Sequence, residues 1–167
     1  VIYDKFVEVL DITFVSKEST SAMFLAEVLV DIEAYNLRIS TVPVESTKLI
    51  SYGTLASYAP ERKTIMIDLQ HVNADSAFEC VRSVIHEMRH HMQHQFIEVI
   101  DFSNEASDSC YFDQIRNWRE EFLNYNAGYG SEEDYEAYAS QSCEEDAREY
   151  SSEQALLFFS WLGIPVE

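Results

Sequence analysis

Between residues 76 and 100, Ala77, Val81, Val84, Ile85, Met88 and Met92 recur at intervals of three and four. That spacing keeps one face of an α-helix apolar and predicts a helix over 76–100. Ser76 with Glu79 matches a capping box at its start, with Asn73 and Asp75 as alternative caps. Upstream the period changes. Ile65, Ile67 and Leu69 alternate with Met66 and Asp68, the two-residue repeat of a half-buried strand. Residues 49–58 and 64–69 flank the turn-rich Ala-Pro-Glu-Arg-Lys segment and predict a hairpin. Ile39, Val42 and Val44, separated by small polar residues, predict a strand over 37–44. Met23, Phe24, Ala26, Val28, Leu29 and Ile32 suit a helix over 20–35, with Ser19, Thr20 or Ser21 as its cap. The mixed pattern of residues 1–14 fits helix or strand. Helices over 111–125 and 144–162 follow, separated by a Tyr- and acid-rich stretch with Gly128 and Gly130. Helix, strands, motif helix and further helices in that order argue for an α+β fold, and the chain length for one domain over residues 1–167.

Composition narrows the function classes. Apolar residues at 47% and aromatics at 13% suffice for a sizeable core, unlike a disordered acidic tail. No apolar run reaches the roughly 18–20 residues that span a bilayer, so no membrane partner is expected. The richest stretch, residues 155–166, is short and carries Trp161, Gly163 and Pro165. The net charge of −19, from 30 acidic and 11 basic side chains, repels a phosphate backbone and argues against nucleic-acid binding. It suits a solvated acidic surface that attracts cations. Cys80, Cys110 and Cys143 are odd in number and lack CxxC spacing, which fits reduced thiols. No secretory leader pattern is visible, so a cytoplasmic location is expected, with the start at Val1 leaving a trimmed segment open. The sequence carries no signal for oligomeric state.

The chemistry concentrates in His86-Glu-Met-Arg-His90. Four residues apart on a helix, His86 and His90 share a face and can converge on one metal ion, with Glu87 about 100° around the axis. A carboxylate there is near the ion without needing to bind it, as a general base should be. The apolar stripe lies roughly 140–180° from the two histidines, so one side of the helix is expected against the core and the other towards a cleft. A catalytic zinc needs a third protein ligand. His94 ends about 80° around the helix from His86, too far to close the same tetrahedron. His91 points elsewhere. Both read as solvated or supporting residues, and His71 as structural or exposed. That leaves a carboxylate from another helix, best sought in Ser-Cys-Glu-Glu-Asp-Ala-Arg-Glu-Tyr at 142–150, where Glu144, Glu145 and Asp146 compete. Glu144 could instead cap the helix dipole, and Cys143 reads as a buried spectator thiol. Two imidazoles with a carboxylate favour Zn2+ over Mn2+ or Fe2+.

HEMRHHMQ at 86–93 followed by Glu144-Glu-Asp-Ala147 resembles the gluzincin metallopeptidases, in particular small bacterial and phage metallopeptidase-like domains of the ImmA/IrrE group. The resemblance covers about residues 64–150 and is specific at the two motifs. It implies a zincin-like fold, a small twisted sheet packed on the motif helix with C-terminal helices. It also implies Zn2+ held by His86, His90 and Glu144, with Ala147 the small residue that lets the two helices approach. Glu87 would be the catalytic base in hydrolysis of a peptide or protein substrate. The strand before the motif helix, 64–69, would pair with the extended peptide. Related sequences often carry proline two residues before the glutamate, where this chain has Ser142. Domains of this group often act in the switching of mobile elements, so a non-catalytic metal-binding regulatory role is the alternative. The oxyanion donor that such a reaction needs has candidates in Tyr125, Tyr129, Tyr135, Tyr138, Tyr150 and Arg148, although tyrosines at this density commonly serve packing.

Overall fold

The helix foreseen over 76–100 runs from Ala77 to Val99 in the computed structural model, which describes residues 19–48, 55–68 and 77–166, leaving aside the side chains of 19–22. The expectations for residues 1–14, the caps Asn73, Asp75 and Ser76, and His71 lie outside the described residues, as do the cap side chains at 19–21. In chain order the elements are α1 (Ser19–Leu37), β1 (Val44–Thr47), β2 (Ala56–Ala59), β3 (Thr64–Asp68), α2 (Ala77–Val99), two 3-10 turns (Glu105–Asp108 and Cys110–Phe112), α3 (Asp113–Leu123), α4 (Glu132–Ala139) and α5 (Ser142–Leu162). The class is α+β, as the order of patterns predicts.

The motif helix α2 is central rather than peripheral. Its predicted stripe is buried, with Ile85 and Met88 fully enclosed and Val81, Val84 and Met92 nearly so. Val81, Val84, Ile85 and Met88 pack with Leu29 and Val30 of α1, Ile65 and Ile67 of β3, and Phe158 and Phe159 of α5, while Met92 packs with Trp118 and Cys143. The opposite face is covered too. Glu87, His90, His91 and Gln93 are all buried: α5 and α3 pack against α2, and Tyr58 and Ser40 cover His91. The expected division into a core side and an open cleft side is therefore too simple. Among the described residues, Arg82, Ser83, His86, Glu87, His90 and His94 of α2 border a cavity.

The sheet has the order β1-β3-β2. Strand β3 is parallel to β1, with Val44 opposite Ile65, and antiparallel to β2, with Ala56 opposite Ile67. The hairpin turn is as expected, closed by Arg62 N donating to Ala59 O at 3.2 Å. Because β3 is flanked on both sides, its edges are occupied and the expected pairing of a peptide along 64–69 is corrected. Among the described strands, β2 is the edge strand beside the cavity.

Two other expectations shift. The strand over 37–44 is replaced by one beginning at Val44. Helix α1 runs to Leu37 and stops in a Schellman turn, with Arg38 left-handed (φ 57°), Arg38 N bonded to Tyr35 O and Ile39 N to Ala34 O. Glycine fills the same role at the end of α5, where Gly163 has φ 68°. Helix α4 was not foreseen. It lies in the Tyr- and acid-rich stretch, capped by Ser131, whose Oγ accepts from Asp134 N at 3.1 Å. Among the described residues, no helix is long and apolar enough to cross a membrane.

Candidate metal centre

One helical turn apart on α2, His86 and His90 bring their Nε2 atoms to 3.1 Å from each other, with the rings edge to face. Glu144, in the first turn of α5, completes the triangle. Its Oε2 lies 3.3 Å from His86 Nε2 and its Oε1 3.2 Å from His90 Nε2. A tetrahedral ion with bonds of about 2.0–2.1 Å spaces its ligand atoms about 3.3–3.4 Å apart. Each of the three approaches is close to that spacing, although the two histidines face different oxygens of the Glu144 carboxylate. His86, His90 and Glu144 form a cluster that could hold a metal ion.

The electrostatics point the same way. Glu144 is fully buried, and its Oε2 has no hydrogen-bond partner. An orphaned buried carboxylate oxygen is costly unless a cation meets it. Burial alone would raise the Glu144 pKa, but the two imidazoles hold it well below the ordinary carboxylate range. Burial works against a charge on His90, and the Glu144 carboxylate overrides it, raising the ring to about 9. Proton and cation therefore compete for the same small space between the three side chains.

Local structure explains why Glu144 reaches α2. The first N–H groups of α5 are capped from α3, where Glu121 accepts from Ser142 N at 2.7 Å and from Ser142 Oγ and Cys143 N at 2.9 Å each. Glu144 is thus relieved of the capping role considered for it. Ser142 supplies an N–H that a proline there would lack. Ala147, fully buried, leaves room for α5 to lie close against α2. Tyr125 donates its hydroxyl to Glu144 Oε1 at 2.5 Å, and Tyr138 lies close enough to feel the same carboxylate. Burial and the adjacent carboxylate push both phenols above their ordinary range. Gln141 pins the segment carrying Tyr125 by accepting from Asn126 N at 3.0 Å and donating to Asn126 O at 2.9 Å. Gly128, at φ 71°, passes so close that a Cβ there would lie 2.9 Å from Tyr138 Cβ.

The three competing acids separate cleanly. Glu145 is exposed, and Asp146 faces Arg89 in a two-point pair of 2.8 Å bonds, so neither joins the cluster. His91 is corrected from solvated to fully buried: its Nε2–H meets Ser40 O at 3.1 Å and its Nδ1 accepts from Tyr58 at 2.8 Å. Burial lowers its pKa. His94 is half-buried and stacks on Phe122, with ring centroids 4.2 Å apart. Its pKa is lowered to about 4 by burial and by His90, so it is neutral at physiological pH. Cys143 is buried beside Met92 and Trp118, its thiol pushed up by burial. Tyr150 drops out as an oxyanion donor because it bonds Glu33 at 2.8 Å, away from the cavity.

A cavity of about 650 Å³ opens over the cluster. Glu87, the edge strand from Ala56 to Tyr58, His94, Phe122, Tyr125 and Tyr138 line it, with Arg148 and the exposed Tyr129 and Tyr135 also on its wall. Sequence reading missed three contributors: Glu121 as the cap of α5, and the Arg89–Asp146 and Gln93 links between the two motif helices. A glutamine three residues beyond the second histidine is the signal that marks Gln93. Compared with family models, curated proteins and solved structures, the chain finds no match.

Proposed function

We propose that the chain is a zinc-dependent metallopeptidase domain of zincin-like architecture, with His86, His90 and Glu144 as ligands and Glu87 as the general base. The observation that carries this reading is the convergence of His86 Nε2, His90 Nε2 and the buried Glu144 carboxylate, at 3.1, 3.2 and 3.3 Å, at the foot of a cavity. Zn2+ fits two imidazoles and one carboxylate, and it supplies Lewis acidity that activates water and polarises an amide carbonyl at neutral pH.

The chain's own residues supply the remainder. The Glu87 carboxylate takes the proton from the attacking water and returns it to the leaving amine. Tyr125 and Tyr138 line the cavity beside Glu144, and either would serve the substrate oxygen only by turning its single O–H away from that carboxylate. With their pKa values raised, they stay protonated as donors. An extended peptide would lie along the outer edge of β2, whose backbone borders the cavity, rather than along β3.

The test is Glu87→Gln. In an enzyme it abolishes cleavage of an unfolded protein or peptide mixture, read by mass spectrometry, while zinc stays stoichiometric. Cleavage at the parent rate by the variant removes Glu87 from the mechanism. A parent that holds zinc and cleaves nothing supports the regulatory alternative.

A further inference from the structure

Gln93 is fully buried on α2, one turn beyond His90, and its amide has no freedom left. Its nitrogen lies 2.9 Å from the Cys143 carbonyl and 2.8 Å from Asp146 Oδ2, both acceptors. These two bonds use the donors of the amide and turn its oxygen towards His90, where Oε1 lies 2.8 Å from Nδ1. Since Oε1 can only accept, Nδ1 must carry the proton. The lone pair of neutral His90 then sits on Nε2, the atom facing His86 and Glu144.

Asp146 is fixed in turn. Beyond Gln93 it accepts from Arg89 Nε and Nη2 at 2.8 Å each. The Arg89 guanidinium stacks over the Tyr150 ring at 4.6 Å, and Tyr150 is tied to Glu33 of α1. A buried polar network in which each member meets its partners is rigid, and a half-satisfied one is costly. The network touches the metal cluster at the Gln93–His90 bond and otherwise joins the two motifs through positions outside it, and it explains why Asp146, two residues from Glu144, is no ligand.

We propose that Gln93 is a positioning residue that sets the His90 tautomer for metal binding through Nε2, and that Asp146 and Arg89 lock the Gln93 amide in the orientation this requires. The inference rests on reading the cluster as a metal centre. Partners of this kind behind a ligating histidine contribute about 10–100-fold to metal affinity.

The experiment titrates Zn2+ alone, against a competing chelator, into the parent, Gln93→Met and Asp146→Asn, with folding followed by circular dichroism. Gln93→Met is expected to bind Zn2+ about 10–100-fold more weakly, and Asp146→Asn to show a smaller loss in the same direction. Nitrogen-15 NMR of the zinc-loaded parent is expected to show His90 bound through Nε2 with a slowly exchanging proton on Nδ1. This readout stands even where Gln93→Met does not fold. Zinc affinity unchanged in a folded Gln93→Met, or His90 bound through Nδ1, overturns the proposal and leaves the metal centre intact. A parent that binds no Zn2+ overturns the metal centre and the relay with it.

Discussion

Raising the pH should tighten zinc binding steeply, because the cation has to displace a proton from the cluster. With His90 raised to about 9 and Glu144 held well below its ordinary value, the metal-free cluster holds a proton on the imidazole beside an ionised carboxylate through the neutral range. Ligands must be deprotonated to bind, so below the His90 pKa the apparent zinc Kd weakens about tenfold per pH unit. From pH 9, where the site is half protonated, to pH 7 the weakening is about 50-fold, or about 2 kcal/mol at about 1.36 kcal/mol per tenfold. The metal-free protein shows the complementary trend. A histidine whose folded pKa is raised stabilises the fold fully below its unfolded value of 6.5, and that stabilisation is lost as pH rises through 9. A carboxylate whose folded pKa is depressed contributes above 4.5 and loses that contribution as pH falls. The pair therefore stabilises the metal-free protein most between 4.5 and 6.5. Competition titrations at pH 7, 8 and 9, with thermal melts of chelated protein at pH 6.5 and 9, measure both trends. A zinc Kd flat from pH 7 to 9 would show that no proton occupies the site and would refute the coupling.

The supporting structure gives three further predictions. Glu121→Gln keeps one acceptor where two served three donors, and should cost about 0.5–2 kcal/mol, read as a lower midpoint in urea, with weaker zinc binding because α5 carries Glu144. Gly128→Ala meets both an unfavourable positive φ and the side chain of Tyr138, and should destabilise the protein by about 1 kcal/mol or more; an unchanged Tm would mean that the 128–138 contact is not made. Tyr58→Phe leaves buried His91 Nδ1 without its donor and should cost about 1–3 kcal/mol in chemical denaturation, with little effect on zinc affinity.

How far the fold was legible depends on whether a boundary was written in local chemistry. The stripe of α2 is a repeat of one residue class, so its helix and buried face followed directly. The end of α1 did not, because the left-handed position of its Schellman turn is filled by Arg38 rather than glycine, and the apolar residues that follow then resemble a strand. Helix α4 has no apolar stripe to announce it: its eight residues hold four acids and two tyrosines, and its local support is the Ser131 cap. The burial of His91 depends on Tyr58 and Ser40, which are 33 and 51 residues away. A helical wheel of α2 alone does not contain those partners.

The burial pattern of α5 in the structure separates Glu144 from Glu145 and Asp146. On α5 the buried residues other than Glu144 are Cys143, Ala147, Ser151, Ala155, Phe158 and Phe159. At about 100° per residue, their directions average to one face, and Glu144 falls about 25° from its centre. Glu145 lies about 125° away on one side and Asp146 about 135° on the other. A carboxylate in the middle of a stripe of small and aromatic residues must be desolvated when the helix packs, and a helix does not keep such a charge without a cation or a strong donor set to meet it. The two histidines on α2 are the groups it meets. Glu145 is spared that cost by solvent, and Asp146 by Arg89. The buried face of α5 therefore singles out the acid that meets the α2 histidines.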